Sequence, residues 1–199
     1  MAVNLAPLVM FSAVGGGTPG PNNLMLAASG VNFGMRRTMP HLMGVWLGFL
    51  LMLTLVCAGL GKIFQTLPEL QLLLKVAGSG YLLYLAWRIA SAAPARKADV
   101  GKPIRFLEAV LFQYVNPKAW MMAVTLSSAY TVEPRHLLAD TLLIVGTHAA
   151  VSLPTTAMWA WFGVALRRFL NAPKRLRVFN LTMAALLVAS LAFILSPTA

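Results

Sequence analysis

Six apolar windows fill most of this chain, each near or beyond the ~20 residues that a helix needs to cross a bilayer. They run at about residues 3–30, 40–61, 68–91, 106–131, 137–166 and 176–196. Lipid offers an open backbone no hydrogen-bond partner, so such segments fold as helices whose amides are satisfied internally. Composition agrees: 59% of the 199 residues are hydrophobic and 11% charged, with mean hydropathy +0.75, where a soluble domain carries roughly 25% charged residues. The expectation is one all-α membrane domain of six transmembrane helices over residues 1–199. The first window lacks the positive n-region and the cleavage site of a secretory signal, and reads as a retained helix. Glu69 and Lys75 intrude on the third window, and the fifth is long enough to tilt or kink at Pro154.

The net charge of +11 does not indicate nucleic acid, because the basic residues are scattered between apolar windows and no nucleic-acid motif accompanies them. Their distribution is topological. Arg36 and Arg37 follow the first window. Arg88, Arg96, Lys97, Lys102 and Arg105 surround the loop after the third. Arg167, Arg168, Lys174, Arg175 and Arg177 surround the loop after the fifth. The other side has only Lys62, Lys75 and Arg135. The positive-inside rule makes the odd-numbered loops cytoplasmic and puts both termini outside. The single cysteine, Cys57, has no internal disulfide partner and reads as packing.

Two of the windows are interrupted at corresponding places. Gly15-Gly16-Gly17-Thr18-Pro19-Gly20-Pro21-Asn22-Asn23 breaks the first, and Asn116-Pro117-Lys118 breaks the fourth. Proline removes a backbone donor and obstructs the helix behind it, so such breaks survive at membrane depth only where protein or a water-filled cavity satisfies the freed groups. A linker-like stretch, Ala92–Lys102, divides the chain into halves of three windows each, about 1–98 and 103–199. Three crossings per half make the second half run inverted, and paired breaks in inverted repeats mark a transporter's binding site. A shift of 98 residues carries Pro19 onto Pro117 and Gly48 onto Gly146.

The chemistry of that site follows from what a broken helix exposes. The half-helix after Pro21 offers free N–H groups and a partial positive charge suited to a carboxylate. Thr18, Asn22, Asn23 and Asn116 add short polar groups that either cap the half-helices or bind a substrate's ammonium and carboxylate. Lys118 falls about halfway along its window, where an unpaired lysine costs from about 2.5 to more than 10 kcal/mol. It reads as a carboxylate-binding cation, a proton-linked switch, or a structural lysine neutralised by carbonyls freed at the breaks. His148 reads as a proton relay or a helix-packing hydrogen bond. Gln113 and Tyr114 stand less than a turn before the second break, facing either the cavity or a neighbour. Gly44 and Gly48 form a small-xxx-small face that packs helices within the bundle or joins a homodimer.

Thr18-Pro19-Gly20-Pro21-Asn22-Asn23, Gly34 with Arg36, Gly44 and Gly48, and Phe112-Gln113-Tyr114-Val115-Asn116-Pro117-Lys118-Ala119-Trp120 together resemble the LysE/RhtB amino-acid exporter family over essentially the whole chain. The resemblance implies a bacterial inner-membrane secondary exporter of amino acids driven by proton antiport. Many members carry an acidic residue just after the second-span glycine pair, where this chain has Phe49. Stretches such as Gly44–Leu50 and Tyr84–Ala90 look like the branch that exports cysteine and O-acetylserine, with threonine or homoserine export the near competitor.

Electrostatics favours a small neutral zwitterion, because a basic substrate's desolvated cation needs an acidic partner and no carboxylate falls at a window's centre. Export of basic amino acids or another small metabolite remains the alternative. Two other classes stay open. An intramembrane enzyme would need a nucleophile with a base or a metal cluster. The chain has no metal-ligand spacing, no GxSxG elbow and no phosphate loop, so neither cofactor nor metal is expected. His148 and Ser152 are one turn apart, a geometry many inert helices share. A non-transporting auxiliary subunit has no use for open backbone at membrane depth.

Overall fold

The computed structural model describes residues 5–61, 66–92, 102–130, 136–170 and 172–195. Among them are eight α-helices and no strand: α1 (Leu5–Gly17), α2 (Pro21–Phe33), α3 (Met35–Leu55), α4 (Pro68–Ala90), α5 (Phe106–Val115), α6 (Pro117–Tyr130), α7 (Leu137–Arg167) and α8 (Pro173–Leu195). Four of them, α3 with its extension to Leu60, α4, α7 and α8, are long and apolar enough to cross a membrane. The first and fourth windows instead divide into α1 with α2 and α5 with α6, at the two proline clusters. Arg96, Lys97, Lys62 and Arg135 lie outside the described residues, as does most of the 92–102 linker.

Local chemistry sets these boundaries. Pro21 and Pro117 are the first residues of α2 and α6, positions where the missing N–H would have had no intrahelical partner. Gly34, at φ 75°, ends α2 and opens α3 in a single residue, a conformation that disfavours any Cβ. The end of α3 widens into a π-turn, Val56–Leu60. Pro154 lies inside α7 without ending it.

Glycines carry the closest crossings. A Cβ at Gly30 of α2 would land on the Ala160 carbonyl oxygen of α7, and one at Gly163 of α7 on the Ala27 carbonyl oxygen of α2. Gly44 and Gly48 of α3 meet α5 in the same way, at the Phe106 carbonyl and at Val110. These two glycines therefore pack helices within the chain. Gly146, which the 98-residue shift aligns with Gly48, faces open space. Helix α4 packs along α8 and α1 along α7. An ion pair, Arg88 Nη1 to Glu108 Oε1 at 2.6 Å, ties α4 to α5, with the Tyr81 hydroxyl donating to the same oxygen at 3.0 Å.

The core separates into two apolar clusters. One gathers Met25, Leu42, Leu82, Leu85, Phe112 and Ala160; the other gathers Leu8, Met52, Leu53, Trp120, Leu126 and Ile144. On α3 the break between clusters falls near Trp46 to Phe49, on α7 at His148 to Thr156, and on α5 and α6 at Gln113 to Lys118. The same residues line a cavity. Polar groups thus form a layer between two apolar ones.

Candidate functional site

The breaks meet at this layer. Lys118 Nζ, from the first turn of α6, donates to the Thr18 hydroxyl at 2.9 Å, the Thr18 carbonyl at 3.1 Å and the Pro19 carbonyl at 3.4 Å. Those oxygens use all three ammonium donors. A second bridge joins the halves where Asn22 Nδ2 donates to Gln113 Oε1 at 2.8 Å, while Gln113 Nε2 donates to the Ala109 carbonyl at 2.9 Å. Asn23 Nδ2 donates to the Gly16 and Thr18 carbonyls, both at 2.8 Å, replacing partners that the end of α1 lost. In α6 the cap comes from the break itself: the Lys118 N–H donates to Asn116 Oδ1 at 3.2 Å. Helix α2 differs. Gly20 gives it no side-chain cap, and its first residue, Pro21, has no N–H to be capped.

The cavity is lined by Gly15, Gly16, Gly20, Pro21, Asn22, Asn23, Val45, Trp46, Phe49, Gln113, Asn116, Lys118, Ala119, Met122, His148, Ser152 and Thr156. The space open to the centre of a water molecule is about 60 Å³, against the ~10–15 Å³ one water needs on that measure. It suits waters or a small solute. His148, 3% exposed, shares a hydrogen bond of 3.0 Å between Nδ1 and Ser12 Oγ of α1. The Phe49 ring lies 4.7 Å from its imidazole, centroid to centroid. Among the described residues nothing hydrogen-bonds Ser152 Oγ, a buried hydroxyl on the cavity wall.

Of the residues singled out in the sequence, Gly20, Pro21, Asn22, Asn23, Gln113, Asn116, Lys118 and His148 line the cavity. Thr18, Pro19 and Pro117 stand outside its lining, Thr18 and Pro19 as acceptors for Lys118. Tyr114 also stands outside, its carbonyl accepting from the Trp120 indole at 2.9 Å. Sequence reasoning missed Trp46, whose indole donates to the Ala149 carbonyl at 3.1 Å, and also Val45, Met122 and Thr156. The one available signal was periodicity, since His148, Ser152 and Thr156 recur every four residues on one face of α7.

Broken helices that meet at a polar cavity inside an apolar helical bundle define a multi-pass membrane transporter. The family model for the LysE type translocator matches residues 13–196, and the chain belongs to that family. It is similar to the cysteine/O-acetylserine efflux protein of Klebsiella pneumoniae subsp. pneumoniae, at 33% identity over 86% of each chain. Identity to the proteins of that name from Escherichia coli (strain K12) and Shigella flexneri is 31%, over 86% of this chain and 87% of theirs. No solved structure matches. Membership in a translocator family makes the protein a transporter and not an enzyme.

Proposed function

We propose that this protein exports small neutral amino acids of the cysteine and O-acetylserine type from bacterial cytoplasm, by proton antiport across the inner membrane. The observation that carries the reading is the bridge between the two helix breaks: Lys118 of one reaches the Thr18 and Pro19 oxygens of the other beside a small polar cavity. The substrate carboxylate is received by the uncapped N-terminus of α2, with Ser152, Asn22 and Asn116 offering polar partners to the rest of the zwitterion. Lys118 acts as a latch. Its donors are already engaged, so a carboxylate binds it by displacing an oxygen at the first break, which loosens one half of the protein from the other.

Alternating access between two inverted three-helix units follows. Its supports are the shared order of a broken helix and two long helices in each half, and the packing of α3 on α7 and α4 on α8 across the halves. His148 is the coupling group, because among the described residues it is the one titratable side chain besides Lys118 on the cavity wall. The names of the relatives favour the cysteine and O-acetylserine branch. Phe49 at the cavity wall favours a neutral substrate, since among the described residues the lining then holds no carboxylate for a basic one.

The test is uptake of labelled cysteine, O-acetylserine, threonine and lysine into everted membrane vesicles, with the pH gradient present or collapsed. Gradient-dependent accumulation of cysteine or O-acetylserine is expected, with lysine excluded. Accumulation of lysine overturns the electrostatic argument. Absence of any amino-acid accumulation, with the protein verified in the membrane, overturns the function.

A further inference from the structure

A second cavity lies between α2, α4 and the start of the chain leading into α5. Its space open to a water centre is about 360 Å³, several times that of the central cavity. Met25, Ser29, Asn32, Trp87, Arg88 and Lys102 are among its walls. The two cavities share a helix face. Asn22 lines the central cavity, while Met25, Ser29 and Asn32 line the second. Their spacing of three, four and three residues stacks them on one side of α2, and ten residues of helix span ~15 Å. Between the polar ends of this stripe stands Met25, 1% exposed.

The polar wall of the second cavity is built. Arg88 is held from two sides, by Glu108 and by the Lys102 carbonyl at 2.7 Å, leaving N–H donors of its five for a ligand. Asn32 is fixed by donation to the Ala28 carbonyl at 2.9 Å and to the fully buried Asn180 Oδ1 at 2.8 Å. Ser29 Oγ sits 3.0 Å from His41 Nδ1, a histidine with no exposed surface. The remaining donors of the Glu108-paired Arg88, together with Lys102, suit a carboxylate, and the Asn32 amide oxygen, which also accepts from Asn180 Nδ2 at 3.2 Å, lines the same cavity with the Ser29 hydroxyl and suits an ammonium, the two ends of an amino-acid zwitterion.

We propose that this cavity is the cytoplasmic entry vestibule for the exported amino acid, a second binding site from which substrate passes Met25 to reach the central cavity. The proposal rests on the export reading and on the orientation that places the basic loops inside. Met25 is the constriction and the size filter. Its buried side chain stands between Asn22 and Ser29 on the stripe, and a flexible thioether swings aside at a lower cost than a branched side chain.

The experiment introduces Asn32→Cys and treats everted and right-side-out vesicles with a membrane-impermeant thiol reagent, the unmodified protein with its buried Cys57 giving the background. Labelling is expected in everted vesicles only, and cysteine-free substrates such as O-acetylserine and threonine are expected to slow it. Labelling from the outer face alone, or none from either face as in a lipid-filled groove, overturns the vestibule. Labelling that no amino acid slows overturns it as a binding site. In parallel, Met25→Ala, which removes more than a methylene's worth of bulk, is expected to raise transport of bulkier neutral amino acids relative to threonine by roughly tenfold or more, since a single methylene already discriminates about 10–200-fold. An unchanged ratio removes Met25 as the filter, and Met25→Leu, which conserves volume, controls for folding. An unmodified protein that transports no amino acid would count against the proposed function, whereas normal transport with an unlabelled Asn32→Cys counts against the vestibule alone.

Discussion

Lys118 Nζ is held by backbone and hydroxyl oxygens, and among the described residues it forms no ion pair. Hydrogen bonds to a charged group are worth about 1.5–3 kcal/mol each, so the proposed latch, in its protonated form, would be strong enough to matter to the balance between two conformations. Replacing it by methionine keeps the stem and removes the donors. Lys118→Met is expected to lower export about tenfold or more while membrane abundance stays near wild type, and Lys118→Arg to recover part of the rate; vesicle uptake normalised to immunoblotted protein measures both. His148 is separable from it. His148→Gln keeps a polar side chain near Ser12 and removes the proton site, so accumulation driven by the pH gradient is expected to disappear while exchange of labelled for unlabelled substrate persists. Counterflow assays with the gradient collapsed distinguish that outcome from simple inactivation. Both residues were legible in the sequence because a titratable group in an apolar window stands out. Trp46, Val45 and Met122 were not, since an apolar side chain facing a cavity and one facing lipid have the same composition and period.

Helix boundaries followed the sequence where proline chemistry fixed them and departed where tertiary packing did. The break at Asn116 exists because Pro117 offers no N–H to the preceding turn. Pro117→Ala restores that donor and lets α5 run into α6, so export is expected to fall severalfold with little loss of protein, as measured by uptake against abundance. Equal loss of both would make the break purely structural. The small-xxx-small face of Gly44 and Gly48 was legible, but the crossing of α2 on α7 at Gly30 and Gly163 was not, because Gly163 has Trp159 and Arg167, not small residues, four places to either side. There the demand is for backbone contact at one point. Adding a methyl group at Gly30 forces it onto the Ala160 carbonyl, and overpacking of this kind costs about 1–3 kcal/mol. Gly30→Ala is therefore expected to lower thermal stability in detergent, whereas Gly146→Ala, which meets nothing, is expected to be neutral or to gain up to ~1 kcal/mol from helix propensity. A melt followed by loss of the monodisperse peak reads both.

For the whole molecule, the question is whether the two halves are one design used twice. The first residues of matching elements agree: α2 and α6 begin on Pro21 and Pro117, and α4 and α8 begin on Pro68 and Pro173. The packing agrees in outline, since the first helical piece of each half lies on the first long helix of the other, α1 on α7 and α5 on α3. The sequence carried little of this beyond the proline clusters, because a repeat of the proposed kind is one of topology. The 98-residue shift that aligned Pro19 with Pro117 matched the wrong proline to the helix start and paired Gly48, in tight contact, with Gly146, in open space. What distinguishes an inverted repeat from a parallel one is the side on which equivalent loops emerge. Thr66 lies in the connection after α3 and Ala172 in the connection after α7, equivalent places in the two halves, and both residues are exposed. Three crossings per half put them on opposite faces of the membrane; an even number puts them on the same face. Thr66→Cys is expected to react with an impermeant thiol reagent in right-side-out vesicles only, and Ala172→Cys in everted vesicles only, with the basic residues around Ala172 marking the cytoplasmic side. Reaction of both from one face would mean that the halves run parallel, and alternating access by exchange of two inverted units would fall with it.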